Sequence, residues 1–255
     1  MSTQVPSPRP LRAERVEGVG VMTRSDRLSF GVAVEELTSA HLHQTNLCAP
    51  FLRALPVDGL AISTLGVPFG TETICASNAA AARIDEIQFD LGEGPCWDAR
   101  ATRRPVLSPD IRHEANLDWP VFQRTLGDTE VGGIFAFPML VGSLDIGAVD
   151  FYSRMPRALT LGQIENATTL VGIAARQVLR RVLLSNTMKP DADYDRGYSR
   201  RVVHQATGMV LAQLDVSPSD ALLILQGYAF SHGQTVREVA ENVVARNIDF
   251  TSELN

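Results

Sequence analysis

Gly133-Ile134-Phe135-Ala136-Phe137-Pro138-Met139-Leu140 and Asp145-Ile146-Gly147-Ala148-Val149-Asp150-Phe151-Tyr152 decide the fold of the larger part of this chain. Each is a nearly continuous apolar run of strand length, and Val141-Gly142-Ser143-Leu144 joins them. Apolar runs without alternation mark strands covered on both faces, so this hairpin belongs inside a sheet sandwiched by other elements. After it, Leu161, Ile164, Ala167, Val171, Ala174, Val178 and Val182 step by three and four, predicting a long helix with a narrow, coiled-coil-like seam. Before it, residues 59–64, 72–77 and 105–108 read as strands, and residues 28–45, 48–55, 79–87 and 96–102 as helices. Gly92-Glu93-Gly94-Pro95 between two of these helices is a sharp turn. Helices flanking an antiparallel hairpin give an α+β sandwich.

The last sixty or so residues follow a different rule. Val202, Ala206, Met209, Val210 and Leu214 recur at helical spacing. Ser217 is a good N-cap with Pro218 at the first helical position, and Ala221, Leu222, Leu225, Tyr228 and Ala229 form the next stripe, closed by Gly233. Thr235-Val236-Arg237-Glu238 is a capping box, followed by Val239, Ala240, Val243 and Val244. Three short amphipathic helices can bury one another in a small all-α bundle. Such a bundle is too small for a catalytic cleft. It suits either a dimerisation tail or a grip on another macromolecule.

Bulk properties exclude several classes. With 45% hydrophobic and 20% charged residues, the 255-residue chain can build an ordinary core. Its net charge of −6 disfavours a general polyanion binder. Cys48, Cys75 and Cys96 are widely spaced and odd in number, without metal-ligand spacing or a disulfide framework, as expected in a reducing cytoplasm. No segment has the run of apolar residues that a membrane span needs. The first residues, rich in Pro, Arg and Glu, lack the apolar core of a signal peptide and read as a flexible tail.

Two resemblances sharpen this reading. The run Glu86-Ile87-Gln88-Phe89-Asp90-Leu91-Gly92-Glu93-Gly94-Pro95-Cys96-Trp97-Asp98-Ala99, with Pro105-Val106, Asp110, Trp119-Pro120 and the hairpin, resembles a GAF domain, as found upstream of ANTAR domains in actinobacteria. The run Gln205-Ala206-Thr207-Gly208-Met209-Val210-Leu211, then Ser217 to Leu222, Leu225-Gln226-Gly227-Tyr228-Ala229 and His232 to Ala240, resembles the ANTAR domain of bacterial antiterminators. The implied organisation is a tail over 1–27, a GAF sensor over 28–186, a linker over 187–197 and an ANTAR unit over 198–250. The family implies a cytoplasmic homodimer through the GAF-flanking helices, with a possible small-molecule ligand in the GAF domain and RNA stem-loops as partners. It implies no cofactor, no metal, no membrane and no catalysis.

Residue by residue, Arg200, Arg201, Gln205, Thr207, Tyr228, His232 and Arg237 form the expected RNA-facing set. The family carries a basic residue where Thr207 stands and Arg where Gln226 stands. From Arg196 onward, Arg196, Arg200, Arg201, Arg237 and Arg246 face Asp215, Asp220, Glu238, Glu241, Asp249 and Glu253, which is five minus six, or −1. Phosphate contacts need positive charge, so pairing two copies, or borrowing Arg176, Arg180 and Arg181, is expected. A protein–protein signalling module is the alternative. Tyr228 reads either as a base-stacking ring or as an interior residue of its stripe.

Cys96, Trp97, Trp119, Phe135 and Phe137 are the candidate pocket lining of the GAF domain, or equally the filling of a ligand-free core. Cys96 opens a helix, which suits a reactive thiolate, or is a small buried hydrophobe. GAF-type methionine sulfoxide reductases use several cysteines, and an enzyme of that kind would need two of them close together beside a pocket. His41 and His43, two apart on one helix, make a poor metal pair, and His113 and Glu114 lie in an exposed loop.

Overall fold

The computed structural model describes residues 23–43, 46–113, 118–185 and 200–253. The expected N-terminal tail up to residue 22, Glu114 and the linker with Pro190 lie outside the described residues.

Helices α1 (Arg24–His43) and α2 (Ala49–Ala54) lead into strands β1 (Gly59–Thr64) and β2 (Glu72–Ala76). Helices α3 (Ala79–Leu91) and α4 (Pro95–Thr102) precede β3 (Val106–Ser108), and α5 (Pro120–Thr125) precedes the hairpin β4 (Gly133–Val141) and β5 (Leu144–Ser153). The long helix α6 (Leu161–Ser185) follows. The strands form one five-stranded sheet in the order β2-β1-β5-β4-β3, with every neighbouring pair antiparallel. The α+β class expected for a GAF domain is therefore the observed one.

Period-two alternation sorts the strand residues between two layers. Leu60, Ile62, Phe135, Phe137, Met139, Val149 and Phe151 pack under α1, α2 and α6 with Leu37, Phe51, Leu170 and Val178. The other face carries Ala61, Ser63, Ala148, Asp150 and Tyr152, which α3, α4 and α5 cover. Both faces of the hairpin are thus buried, as its unbroken apolar runs predict.

The structure corrects three readings here. Helix α3 continues to Leu91, four residues past its expected end, because Phe89 is still buried and Gly92 supplies the left-handed cap at φ 64°. The seam on α6 is not free for a coiled coil: Ala167, Val171, Ala174 and Val178 are buried inside the same chain against α1 and the sheet. Cys48 and Cys75 form a disulfide joining the start of α2 to β2, with Cα atoms 6.5 Å apart. A separation of 27 residues gives no local signal for that pairing.

The C-terminal bundle consists of α7 (Arg201–Leu214), α8 (Pro218–His232) and α9 (Val236–Val244), with a short further helix α10 (Phe250–Glu253). Its punctuation follows the sequence: Ser217 caps the Asp220 N–H, Gly233 takes φ 64°, and Thr235 and Glu238 form the reciprocal box. Val203, rather than Val202, joins Ala206, Val210, Ala221, Leu225, Ala229, Val239 and Val243 in the core. The unexpected α10 is there because Phe250 closes the open end of the bundle, 2% exposed.

Candidate functional site

The α3–α4 turn shows what its residues are for. Gly94 adopts φ 130°, and a Cβ there would lie 2.7 Å from the Gln88 side chain. With Gly94 bare, Gln88 reaches under the turn: its Oε1 accepts the Cys96 N–H at 2.8 Å and its Nε2 donates to Asp150 at 3.1 Å. Trp97 Nε1 donates to the Gln88 carbonyl, Trp119 Nε1 donates to Asp98, and Glu93 accepts the Phe122 N–H. The motif is a staple that ties α3, α4 and α5 over the sheet.

Beneath it lies a buried carboxylate pair that the sequence reading missed. Asp85 accepts from Ser63 Oγ at 2.6 Å and from Thr73 Oγ1. Burial pushes its carboxyl up to about 6, against the hydrogen bonds from Ser63 and Thr73. Burial, and then the nearby Asp85, hold Asp150 well above the usual carboxylate range. Among the described residues, Oδ1 of Asp85 and Oδ1 of Asp150 have no hydrogen-bond partner. An acidic residue inside the apolar run of β5 was the available signal.

The expected pocket lining does not converge. Phe135 and Phe137 fill the core under α1 and α6, Trp119 fills that under α3 and α5, and Cys96 packs with Leu65, Phe89 and Ala148. All four are at most 3% exposed, and burial raises the Cys96 thiol well above its ordinary range. Alternation along β4 puts the two phenylalanines on the opposite face from Cys96. Trp97 alone of this set lines the described cavity.

That cavity, of about 450 Å³, lies between the GAF domain and the bundle. Thr71, Phe89 and Trp97 line one side, and Val203, Thr207 and Leu222 the other. Polar contacts surround it. Arg200, 5% exposed, donates from Nη1 to Asp90 Oδ1 at 3.1 Å and from its backbone N–H to Glu72 at 2.9 Å. Its guanidinium lies 5.2 Å from the Phe89 ring centre. Val236 N–H, at the start of α9, donates to Asp90 Oδ2 at 3.1 Å, and Gln226 Nε2 donates to the Phe89 carbonyl at 3.0 Å. Arg237 pairs with Glu86 at 3.3 Å, and His204 lies 3.3 Å from Glu72.

The expected RNA-facing residues therefore divide. Arg200 and Arg237 are engaged by the GAF domain, and Thr207 lines the cavity. Arg201, Gln205 and His232 are exposed. Tyr228 is half-buried, stacked on His232 at 4.0 Å and edge-on to Phe250 at 5.3 Å. The sequence reading missed Glu72, Glu86 and Asp90 as partners of the bundle. It also missed Phe230, 67% exposed, an aromatic off the stripe of α8.

Comparison with known families gives these units their names. A GAF domain model matches residues 50–178, half of the chain, and an ANTAR domain model matches residues 197–244. The chain belongs to the GAF domain family and carries an ANTAR domain after the GAF domain. No curated protein sequence matches the chain. Among solved structures, the GAF domain of an Acinetobacter phosphoenolpyruvate-protein phosphotransferase is similar at 14% identity and TM-score 0.48, covering 68% of this chain and 100% of that one. The corresponding Coxiella burnetii domain has 12% identity and TM-score 0.48, covering 63% and 98%. The free methionine-R-sulfoxide reductase of Neisseria meningitidis has 13% identity and TM-score 0.43, covering 63% and 95%. GAF and ANTAR are regulatory domains, so the chain is a GAF sensory unit with an ANTAR output module. Among the described residues no single helix is long and apolar enough to cross a membrane.

Proposed function

We propose that the chain is a cytoplasmic, signal-responsive RNA-binding regulator, in which the GAF domain controls an ANTAR unit that binds paired RNA stem-loops and promotes transcription antitermination. The observation that carries this reading is the direct grip of GAF residues Glu72, Glu86 and Asp90 on Arg200 and Arg237, inside a sequence that matches the ANTAR model. A signal that alters the GAF surface reaches the output without an intermediary.

Two ANTAR units act together as a homodimer through α1 and α6, because one unit carries too little positive charge for a phosphate backbone. Exposed Leu28 and Val32 on α1, and Leu183 and Leu184 on α6, support that surface. The reading is non-catalytic: Cys96 is buried, and Cys48 and Cys75 are bonded to each other in the core away from the cavity. Titration of the full chain with a labelled two-hairpin RNA at low salt tests it, and absence of binding by the dimer refutes it. The second reading, a protein–protein signalling module, is favoured by the −1 balance and by Gln226 in place of Arg. It predicts a protein partner and no RNA.

A further inference from the structure

Two of the ANTAR arginines, Arg200 and Arg237, are held by one strip of the GAF domain. We propose that Glu72, Glu86 and Asp90 compete with RNA for the ANTAR face, so that the docked chain is the RNA-free state and RNA binding parts the two units. This inference rests on the RNA reading above.

The chemistry of the strip supports competition. Guanidinium forks bind carboxylate and phosphate oxygens in the same geometry. Asp90 goes further, offering Oδ1 to Arg200 at 3.1 Å and Oδ2 to the Val236 N–H at 3.1 Å. A guanidinium and the N-terminus of a helix are the two kinds of donor that anions seek. With Asp90 in place, both are occupied by one carboxylate. Glu86 Oε1 accepts from Arg237 Nε at 3.3 Å, and Glu72 takes the Arg200 N–H and faces His204. Arg200, 5% exposed between Asp90 and the Phe89 ring, is out of reach of a nucleic-acid backbone while docked.

The dock can open. Its ion pairs are partly open to water, the Glu72 and Glu86 side chains being 31% and 23% exposed, as in interfaces between domains that move. If the open state is a fraction f of the population, the apparent Kd for RNA rises by 1/f. A dock favoured about ten to one therefore hides about ten-fold of affinity.

The test uses the full chain and its Glu72→Gln, Glu86→Gln, Asp90→Asn triple variant, which keeps shape and removes charge. Hydrogen–deuterium exchange over residues 200–208 and 234–238 reports docking without RNA, and a labelled two-hairpin RNA reports affinity. Faster exchange in both segments together with about ten-fold tighter RNA binding supports the proposal. Unchanged exchange overturns it, because the strip would not hold the dock. Faster exchange with equal, measurable RNA affinity overturns it and leaves the RNA reading standing. Faster exchange with no RNA bound by either protein refutes the RNA reading and this inference with it.

Discussion

Asp85 shows how one residue can make stability depend on pH. Its folded pKa of about 6 stands above the ordinary 3.8, so folding favours the protonated form. The corresponding stability is complete below about pH 4 and is lost as pH rises towards 6. Asp85→Asn keeps the acceptor for Ser63 and Thr73 and removes the buried charge. The variant is expected to gain about 1–3 kcal/mol at pH 7 and nothing at pH 4, flattening the profile between them; urea unfolding at the two pH values measures this. Gly94 makes the complementary case, because a side chain there meets both Gln88 and a backbone at φ 130°. Gly94→Ala is expected to cost about 2 kcal/mol or more, read as a lower urea midpoint at unchanged slope. Gly94 was legible as part of a turn. Its reason was not, since Gln88 stands six positions earlier and its role appears only when α3 and α4 are packed.

At the scale of elements, the sequence was most informative where the physics is local. Ser217, Gly233 and the Thr235–Glu238 box act within one helical turn, and all three act as read. The unbroken apolar runs of β4 and β5 likewise announced burial on both faces. The α6 stripe was misleading in one respect: a three-four pattern says that a face is buried, not by what, and α1 of the same chain covers it. The same limit hid α10, whose meaning is that Phe250 fills the bundle end beside Tyr228. Phe250→Ala is expected to destabilise the ANTAR bundle by about 3 kcal/mol while leaving the GAF domain unaffected. Near-ultraviolet and far-ultraviolet melting followed together would show the early loss of helix that this entails.

At the scale of the molecule, two cores meet across a boundary that carries hydrogen bonds, ion pairs and an open cavity. The sheet and its helices form one set of apolar clusters, and α7 to α10 form another. Such units unfold separately. Calorimetry of the full chain is expected to resolve two transitions, and the Phe250→Ala change should move only one of them. A single transition, shifted as a whole by the variant, would mean that the boundary is as tight as a core. The 450 Å³ cavity sits on that boundary, not inside the sheet where the candidate pocket residues were sought. Cys96, Trp119, Phe135 and Phe137 are buried, a placement the sequence left open because apolar side chains fit a cavity wall and a filled interior equally well.

What the sequence by itself determined is the order and type of the elements apart from the short helices α5 and α10, the caps of α8 and α9, and the family resemblance of the two units. These depend on neighbours a few residues apart, whose spacing can be read directly. Tertiary structure alone decided the Cys48–Cys75 bond, the Asp85–Asp150 pair, the burial of the α6 seam and the dock. Arg200 and Asp90 stand 110 residues apart, and nothing local to either names the other. Their pairing exists because α3 ends where the bundle rests, so that a carboxylate, a guanidinium and the first N–H of α9 meet at one point.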